Sequence, residues 1–388
     1  MPGRGLPRPA HCPREPAGGG VSVIESRSEV GAGYPQEHSV ECLGVSVIVP
    51  ARNEEKVIGQ CLDSLARLDF PRESFEVILV DNGSTDRTLE VARSFSEVLN
   101  LTILQKAGVH ISALRNLAAS QARGGIFAFL DADCVVSPTW LTQATALLAQ
   151  EGLGVVGAHY RIPDESGWVA RVWYGEQESE KQGDISYVPA GDLLVTRATF
   201  ERAGGFDESI QTNEDCDFCR RVRAVGLRVL GDSAIAVVHL GTPQTLSGFY
   251  RKNRWHGTHV FRVFLRDLPT LSNARPVLFA FYTLMCLVGA GIGAVLAAWQ
   301  ERFDVFAAFL GALLLPPFLL SLRLALRRKK WSYLFPLTLM HLVYGIARGR
   351  SLLEFRNWVG SRSRPRVPVA SQRGASSDPG KASATHSD

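Results

Sequence analysis

The sequence predicts an α/β domain of parallel βαβ units followed by an α-helical membrane hairpin. From Leu43 to about Val263, short β-branched runs alternate with amphipathic stretches, and strand–loop–helix repeats of this kind fold as parallel βαβ units. Polar residues gather just after the strand-like runs, at the sheet edge where open α/β folds bind ligands. Further on, Val277–Ala298 and Val305–Leu322 are two long runs without a charge, each apolar enough to cross a bilayer.

The elements follow in order. Residues 1–43 mix Gly, Pro, Ser, Arg and Glu with no hydrophobic period and no apolar h-region, so a disordered tail, not a signal peptide, is expected. Val45–Val49 reads as a strand, with a Pro-Ala-Arg-Asn turn and an amphipathic stretch, Glu54–Leu68, after it. Phe75–Val80 is a second strand that ends on Asp81, and the turn beyond it caps a helix running through Phe95. Leu101–Leu104 is a third strand, Ser112–Arg123 a helix, and Ile126–Leu130 a fourth strand ending on Asp131. The domain is expected over 44–263.

Residues 264–360 are expected to be membrane-associated helices. Val277–Ala298 makes about 33 Å of helix at ~1.5 Å per residue, enough for a bilayer core. The second span, taken as 303–322, contains Pro316-Pro317, which neighbouring helices tolerate in a membrane. Arg254, Arg262, Arg266 and Arg275 precede the hairpin and Arg327-Arg328-Lys329-Lys330 follows it. The positive-inside rule then places both ends, and the α/β domain, on the cytoplasmic side of the plasma (inner) membrane. A third apolar stretch, 331–347, holds Pro336 and His341 and reads as an interfacial or re-entrant helix. Residues 361–388 are again Ser-, Arg- and Pro-rich, a second loose tail.

The 388 residues carry a net charge of +4 that hides an asymmetry. From Arg251 onward 20 Lys and Arg face 6 Asp and Glu, whereas the first 250 residues hold 22 against 32. An acidic front argues against nucleic acid as a partner, and a basic, apolar back argues for a membrane. Seven scattered cysteines, odd in number, argue against a disulfide scaffold and for a reducing compartment.

The chemistry sits at the strand ends. Three strands run into polar clusters: Asn53-Glu54-Glu55, Asp81 with Asp86, and Asp131-Ala132-Asp133. One acidic loop has a backbone explanation, because Asp and Asn favour turns and caps, and Asp86 reads as such a cap. Three on one edge call for a ligand. Asp81 stands where a nucleobase or ribose would donate hydrogen bonds to it. Asp131 and Asp133 lie on one side of a tight turn, a spacing suited to Mg²⁺ or Mn²⁺ with further oxygens from substrate phosphates.

The run Val47-Ile48-Val49-Pro50-Ala51-Arg52-Asn53-Glu54 opens an ordered series of motifs. It continues with Val80-Asp81-Asn82-Gly83-Ser84-Thr85-Asp86-Arg87-Thr88, Leu114-Arg115-Asn116 and Phe129-Leu130-Asp131-Ala132-Asp133. Gly204-Gly205-Phe206-Asp207-Glu208 and Asn213-Glu214-Asp215 complete it. The series resembles the family 2 glycosyltransferases, in their membrane-anchored bacterial type, over about Val45 to Val263. The resemblance implies the GT-A fold, a Rossmann-like mixed, mostly parallel sheet. It also implies inverting transfer of a sugar from a nucleotide-sugar donor. By the same resemblance Pro50, Ala51, Glu54 and Asp81 line the nucleoside pocket, Arg115 faces the nucleotide, and Asp131 meets the ribose or metal waters. Asp133 binds the metal under the diphosphate, and Asp215, beside Glu214, is the general base. An inverting displacement needs one such carboxylate to take the acceptor hydroxyl's proton. A helix beginning just after Asn213 tends to keep Asp215 ionised; without catalysis, the same pair would be ordinary helix N-terminal charge.

His239 follows the apolar run Ala234–Val238 and resembles the late histidine that approaches the metal or diphosphate in some members; a packed or capping role is the alternative. Arg251-Lys252-Asn253-Arg254-Trp255 resembles the Gln-x-x-Arg-Trp motif of processive members, with Arg in the Gln place. That implies Arg254 at the diphosphate and Trp255 against the acceptor, while a basic-aromatic membrane-interface segment reads equally well. Cys216-x-x-Cys219 and His256-x-x-His259 have no partner pair at metal spacing and read as structural. A lipid-linked or cell-envelope glycan acceptor fits the hairpin. The rival readings are a nucleotidyltransferase and a partner-binding scaffold without catalysis.

Overall fold

The computed structural model describes residues 23–24, 44–175, 181–210, 212–266, 271–301 and 303–353. Of the two expected tails, only Val23–Ile24 falls within these residues. The strands are β1 Val23–Ile24, β2 Val45–Ala51, β3 Phe75–Asp81, β4 Leu101–Gln105, β5 Ile126–Leu130, β6 Cys134–Val135, β7 Leu153–Gly157, β8 Gly183–Asp184, β9 Asp192–Thr196, β10 Arg228–Gly231 and β11 Val238–His239. The helices are α1 Ile58–Ala66, α2 Thr88–Arg93, α3 Ile111–Gln121, α4 Trp140–Leu148, α5 Trp168–Tyr174, α6 Arg197–Ala203 and α7 Glu214–Ala224. Four long or apolar helices follow: α8 Leu246–Arg266, α9 Leu271–Gln300, α10 Phe303–Arg328 and α11 Leu334–Leu352.

Nine strands form one mixed sheet in the order β1-β4-β3-β2-β5-β9-β7-β10-β8. β4, β3, β2 and β5 run parallel, and β9 alone reverses direction in the middle, antiparallel to both β5 and β7. β7 and β10 are parallel again. Every residue of β2 and β3 is buried, as central strands covered on both faces must be. Alternation sorts their side chains between two cores. Val47, Val49, Val77 and Leu79 pack with Leu62 of α1 and Trp140 of α4. Ile48, Ile78 and Val80 pack with Leu114 of α3, Phe200 of α6 and Phe218 of α7.

The first helix starts at Ile58, later than the amphipathic stretch from Glu54 suggests. Asn53 takes a positive φ of 57°, and the next amides are claimed by the turn after β3: Glu54 N donates to Thr88 Oγ1 at 2.7 Å and Glu55 N to Asp86 Oδ2 at 3.2 Å. Those bonds clamp the two turns together at the carboxyl edge of the sheet.

Helix α8 runs through the boundary expected at 263. Ala274–Gln300 and Phe303–Arg328 are long and apolar enough to cross a membrane. Leu278, Met285, Ile292, Leu315 and Leu319 lie exposed on them. The third helix, α11, packs onto the sheet domain: its Leu337 and Met340 are buried with Val169 and Val172 of α5 and Phe249 of α8. Arg328, at the end of α10, donates to the Val172 carbonyl at 3.1 Å.

Candidate active site

Two adjoining cavities open at the carboxyl ends of the parallel strands. The smaller, about 260 Å³, is lined by Pro50 and Ala51 from the end of β2, Glu54, Asn82, Asp131, Asp133 and His239, among others. The larger, about 470 Å³, shares Ile111, Asp131 and His239 with it and reaches Asp215, α8 and α11.

The acidic turn after β5 is closed by Cys134 N donating to the Asp131 carbonyl at 3.0 Å. β6, which follows it, pairs antiparallel with β11 and sets Cys134 opposite His239. That two-residue ladder brings together residues a hundred positions apart: His239 Nε2 lies 3.5 Å from Asp133 Oδ2. The ligand atoms of Asp131, Asp133 and His239 all fall within 4.8 Å of one another. Two carboxylate oxygens and one imidazole nitrogen are a donor set for Mg²⁺ or Mn²⁺. Burial holds the His239 pKa below its usual value, against the pull of Asp133, so the ring is the neutral species that ligates metals. The backbone leaves this corner open: a Cβ on Gly241 would lie 2.0 Å from Asp133 Oδ2, and one on Gly191 would lie 2.3 Å from Asp131 Oδ2. Burial, then Asp133, Asp131 and Asp86, push the Glu54 carboxyl up to about 7.

Arg115 joins the two cavities. Only 2% exposed, it donates through Nη2 to Asp131 Oδ1 and through Nη1 to Glu214 Oε1, both at 2.7 Å. Burial would lower its pKa, but the two carboxylates more than offset that and raise it. Its neighbour Asn116 donates to the Phe206 carbonyl at 2.8 Å and accepts from Phe206 N at 2.9 Å. The Leu114-Arg115-Asn116 motif thus fixes both the turn after α6 and the start of α7.

Asp215 lies in the first turn of α7 and lines the larger cavity. Its carboxylate accepts from Cys216 N at 2.7 Å. Burial and the charge of Glu214 nevertheless raise it to about 7, against Cys216 and Arg115. The helix N-terminus alone favours the ionised group; burial and the charge of Glu214 outweigh it.

Most of the sequence-predicted residues converge. Pro50, Ala51, Glu54, Asp131, Asp133 and His239 share the smaller cavity, and Arg115, Glu214, Asp215 and Trp255 the larger. Two stand apart. Asp81 is fully enclosed, its carboxylate accepting from Gly83 N and Ser84 N at 3.0 Å, and Asn82 lines the cavity next to it. Arg254 is on the exposed side of α8, while Lys252 faces the cavity. The helical period carried that signal: Phe249, Lys252, Asn253 and His256 fall on one face, and Arg254 does not. Tyr160, which sequence reasoning passed over, donates to Asp131 Oδ2 at 3.1 Å and lays its ring 4.6 Å from that of His239. It comes from the irregular stretch after β7, where no period marks a site residue.

Residues 46–203 match the model of the family described as Glycosyl transferase family 2. Among curated relatives, "Glycosyltransferase AglE" of Haloferax volcanii is 32% identical over 47% of this chain and 62% of its own length. "Probable glycosyltransferase YdaM" of Bacillus subtilis is 26% identical over 64% of this chain and 63% of its own. The chain therefore spans somewhat less than two thirds of these relatives. Among solved structures, the mannosyltransferase PcManGT from Pyrobaculum calidifontis, in complex with GDP-Man and Mn²⁺, superposes with a TM-score of 0.52. It has 21% identity and covers 79% of this chain and 86% of that one, a likeness of fold. On the motif series, the sheet and this match, residues 46–203 form a glycosyl transferase family 2 domain with a GT-A-like fold.

Proposed function

We propose that the protein transfers a sugar from a nucleotide-sugar donor to a hydroxyl acceptor, with inversion at the anomeric carbon, at the cytoplasmic face of a membrane. The observation that carries this reading is the meeting of the two cavities at Asp131, with the Asp-Asp-His cluster on one side and Asp215 on the other. The nucleoside lies against Pro50, Ala51 and Asn82, and Asp81 acts by holding the turn that presents Asn82. Asp131, Asp133 and His239 would hold Mg²⁺ or Mn²⁺, which when bound offsets the charge of the leaving diphosphate. Asp215 takes the proton of the attacking hydroxyl, and a carboxyl raised to about 7 is matched to that task near neutral pH. Arg115 keeps Glu214, and with it the start of α7, in register with Asp131. Trp255, half-exposed on α8, lies where an acceptor sugar would stack.

The basic flanks of α9 and α10 support the cytoplasmic placement, and the junction of α5, α8 and α11 supports an acceptor presented at the membrane surface. A scaffold without catalysis gives no reason for Asp215 to line a cavity that adjoins the Asp-Asp-His cluster. The test is a panel of UDP-, GDP- and dTDP-sugars on membranes carrying the protein, with the product's anomeric configuration read by NMR. Retention of configuration, or no donor turned over in the presence of Mg²⁺ or Mn²⁺, overturns the reading.

A further inference from the structure

The larger cavity continues past Asp215 to an inner wall built by α5, α8 and α11, and there one cation has no counter-charge among the described residues. Arg348 of α11 lines this wall. Its Nε and Nη1 are buried and make no hydrogen bond, and its Cζ sits 5.1 Å from the Tyr344 ring centroid. The groups facing it are the phenols of Tyr344 and Tyr174 and the imidazole of His256. His256 is itself neutral, its pKa lowered to about 3 by burial, Arg348 and Lys252. Among the described residues no carboxylate pairs with Arg348. The contrast with Arg115, which has two carboxylate partners, is direct.

The arginine is also fixed in place. A Cβ on Gly257 of α8 would lie 2.3 Å from Ser351 Oγ and 3.2 Å from Arg348 Cδ, so α8 and α11 meet with the arginine's stem between them. An enclosed guanidinium without a counter-charge is costly unless an anion joins it, and guanidinium is the side chain best suited to the oxygens of a phosphate. Burial lowers the Lys252 pKa on the same cavity, although Asp133 and Asp131 give that amine counter-charges; among the described residues Arg348 has none.

We infer that the acceptor is a phosphate ester that also bears a hydroxyl, its phosphate seated on Arg348 and its hydroxyl turned toward Asp215. This rests on the transferase reading of the site above. The phosphate belongs either to a membrane lipid or to a soluble metabolite, and the two are separable by experiment.

The test uses the full chain in a non-ionic detergent, with Mn²⁺ and saturating UDP or GDP filling the donor cavity. Trp173 and Trp255 line the same cavity as Arg348, so tryptophan fluorescence reports its occupancy. Titrants are glycerol 3-phosphate, dioctanoyl phosphatidylglycerol, glycerate and dioctanoylglycerol. Both phosphates are expected to change the fluorescence saturably, Arg348→Gln to weaken them by about tenfold or more, and Arg348→Lys to recover part of the loss. Tighter binding of the lipid by tenfold assigns the phosphate to a membrane lipid; equal or tighter binding of glycerol 3-phosphate assigns it to a soluble acceptor. The inference is overturned if glycerate or dioctanoylglycerol binds as well as the phosphates, or if Arg348→Gln binds them like wild type. Discrimination by the wild-type protein decides the matter even if Arg348→Gln does not fold. Nucleotide binding measured by calorimetry separates the two failures. Its presence without phosphate selectivity sinks the phosphate inference alone, and its absence from wild type sinks the transferase reading.

Discussion

The smaller cavity takes most of its lining from strand ends and turns between residues 50 and 133, with Ile111 and Leu114 from α3, and only His239 comes from far along the chain. The larger one gathers residues from Ile111 on α3 to Arg348 on α11. The difference lies in how the side chains are held. On the first side, backbone geometry does the holding: a tight turn, two clamped loops and a two-residue ladder. On the second, the positions of α7, α8 and α11 decide what faces the cavity, and these rest on helix packing and on the Arg115 bridge. A change on the first side should therefore abolish chemistry with little movement elsewhere. A change on the second should alter rate, stability or pH response separately.

The largest effect is expected at Asp133. Asp133→Ala removes one of three clustered ligands, and loss of a metal's charge stabilisation is worth several kcal/mol, so turnover should fall by roughly 10⁴-fold. The metal dependence of nucleotide binding should vanish with it. A variant that keeps its rate and still requires metal would remove the cluster from the chemistry.

Next comes Asp215. Asp215→Asn keeps the shape but accepts no proton, and general-base assistance is typically worth ~10²–10⁴-fold. Turnover should drop by roughly 10³-fold while calorimetry finds nucleotide affinity unchanged. If affinity collapses in parallel, the two sides are not separable and Asp215 supports the donor cavity.

Arg115 tests the joint. Arg115→Met leaves Asp131 and Glu214 without their shared cation, and breaking a buried pair from one side costs roughly 3–5 kcal/mol. Thermal unfolding should shift down accordingly, well beyond what Asp215→Asn causes. An unchanged melting temperature would show that α7 holds its register without the bridge.

The same division governs what the sequence discloses. β2, β3, β4 and β5 are legible because each is a short apolar run cut off by turn residues, and the acidic turns follow directly from where those runs stop. Asp131 and Asp133 are legible for the same reason. Asp81 was placed correctly at its strand end, but a short carboxylate two residues before a turn reaches its own backbone amides first, which the sequence order alone does not reveal. β9's reversal leaves no mark either, because a fully buried antiparallel strand has the same apolar run as a parallel one. Lys252, Tyr160 and Arg348 become site residues only through packing between elements far apart in the chain. Of these, only Lys252 left a trace, in the helical period of α8.

The smallest effect sharpens the comparison most. Asp215 must be ionised to accept a proton, so activity should rise with pH through a midpoint of about 7 and fall tenfold per unit well below it. The Cys216 side chain donates to Asp215 and lowers its pKa; removing the donor disfavours the carboxylate, so the midpoint moves up. A thiol is a weak donor; at about 0.5 kcal/mol, and with one pKa unit worth about 1.4 kcal/mol, Cys216→Ala should raise the midpoint by roughly 0.4 unit. The plateau at high pH should not change, because the base is then fully ionised in both proteins, whereas at pH 6 the variant should run at about half the wild-type rate. Cys219→Ala is the control: that thiol is buried against the Val188 carbonyl in the core of the sheet domain, so it should cost some stability and leave the midpoint where it was. A shifted plateau in Cys216→Ala, or an equal midpoint shift in Cys219→Ala, would mean that the pH profile reports packing around α7 and not the charge of Asp215.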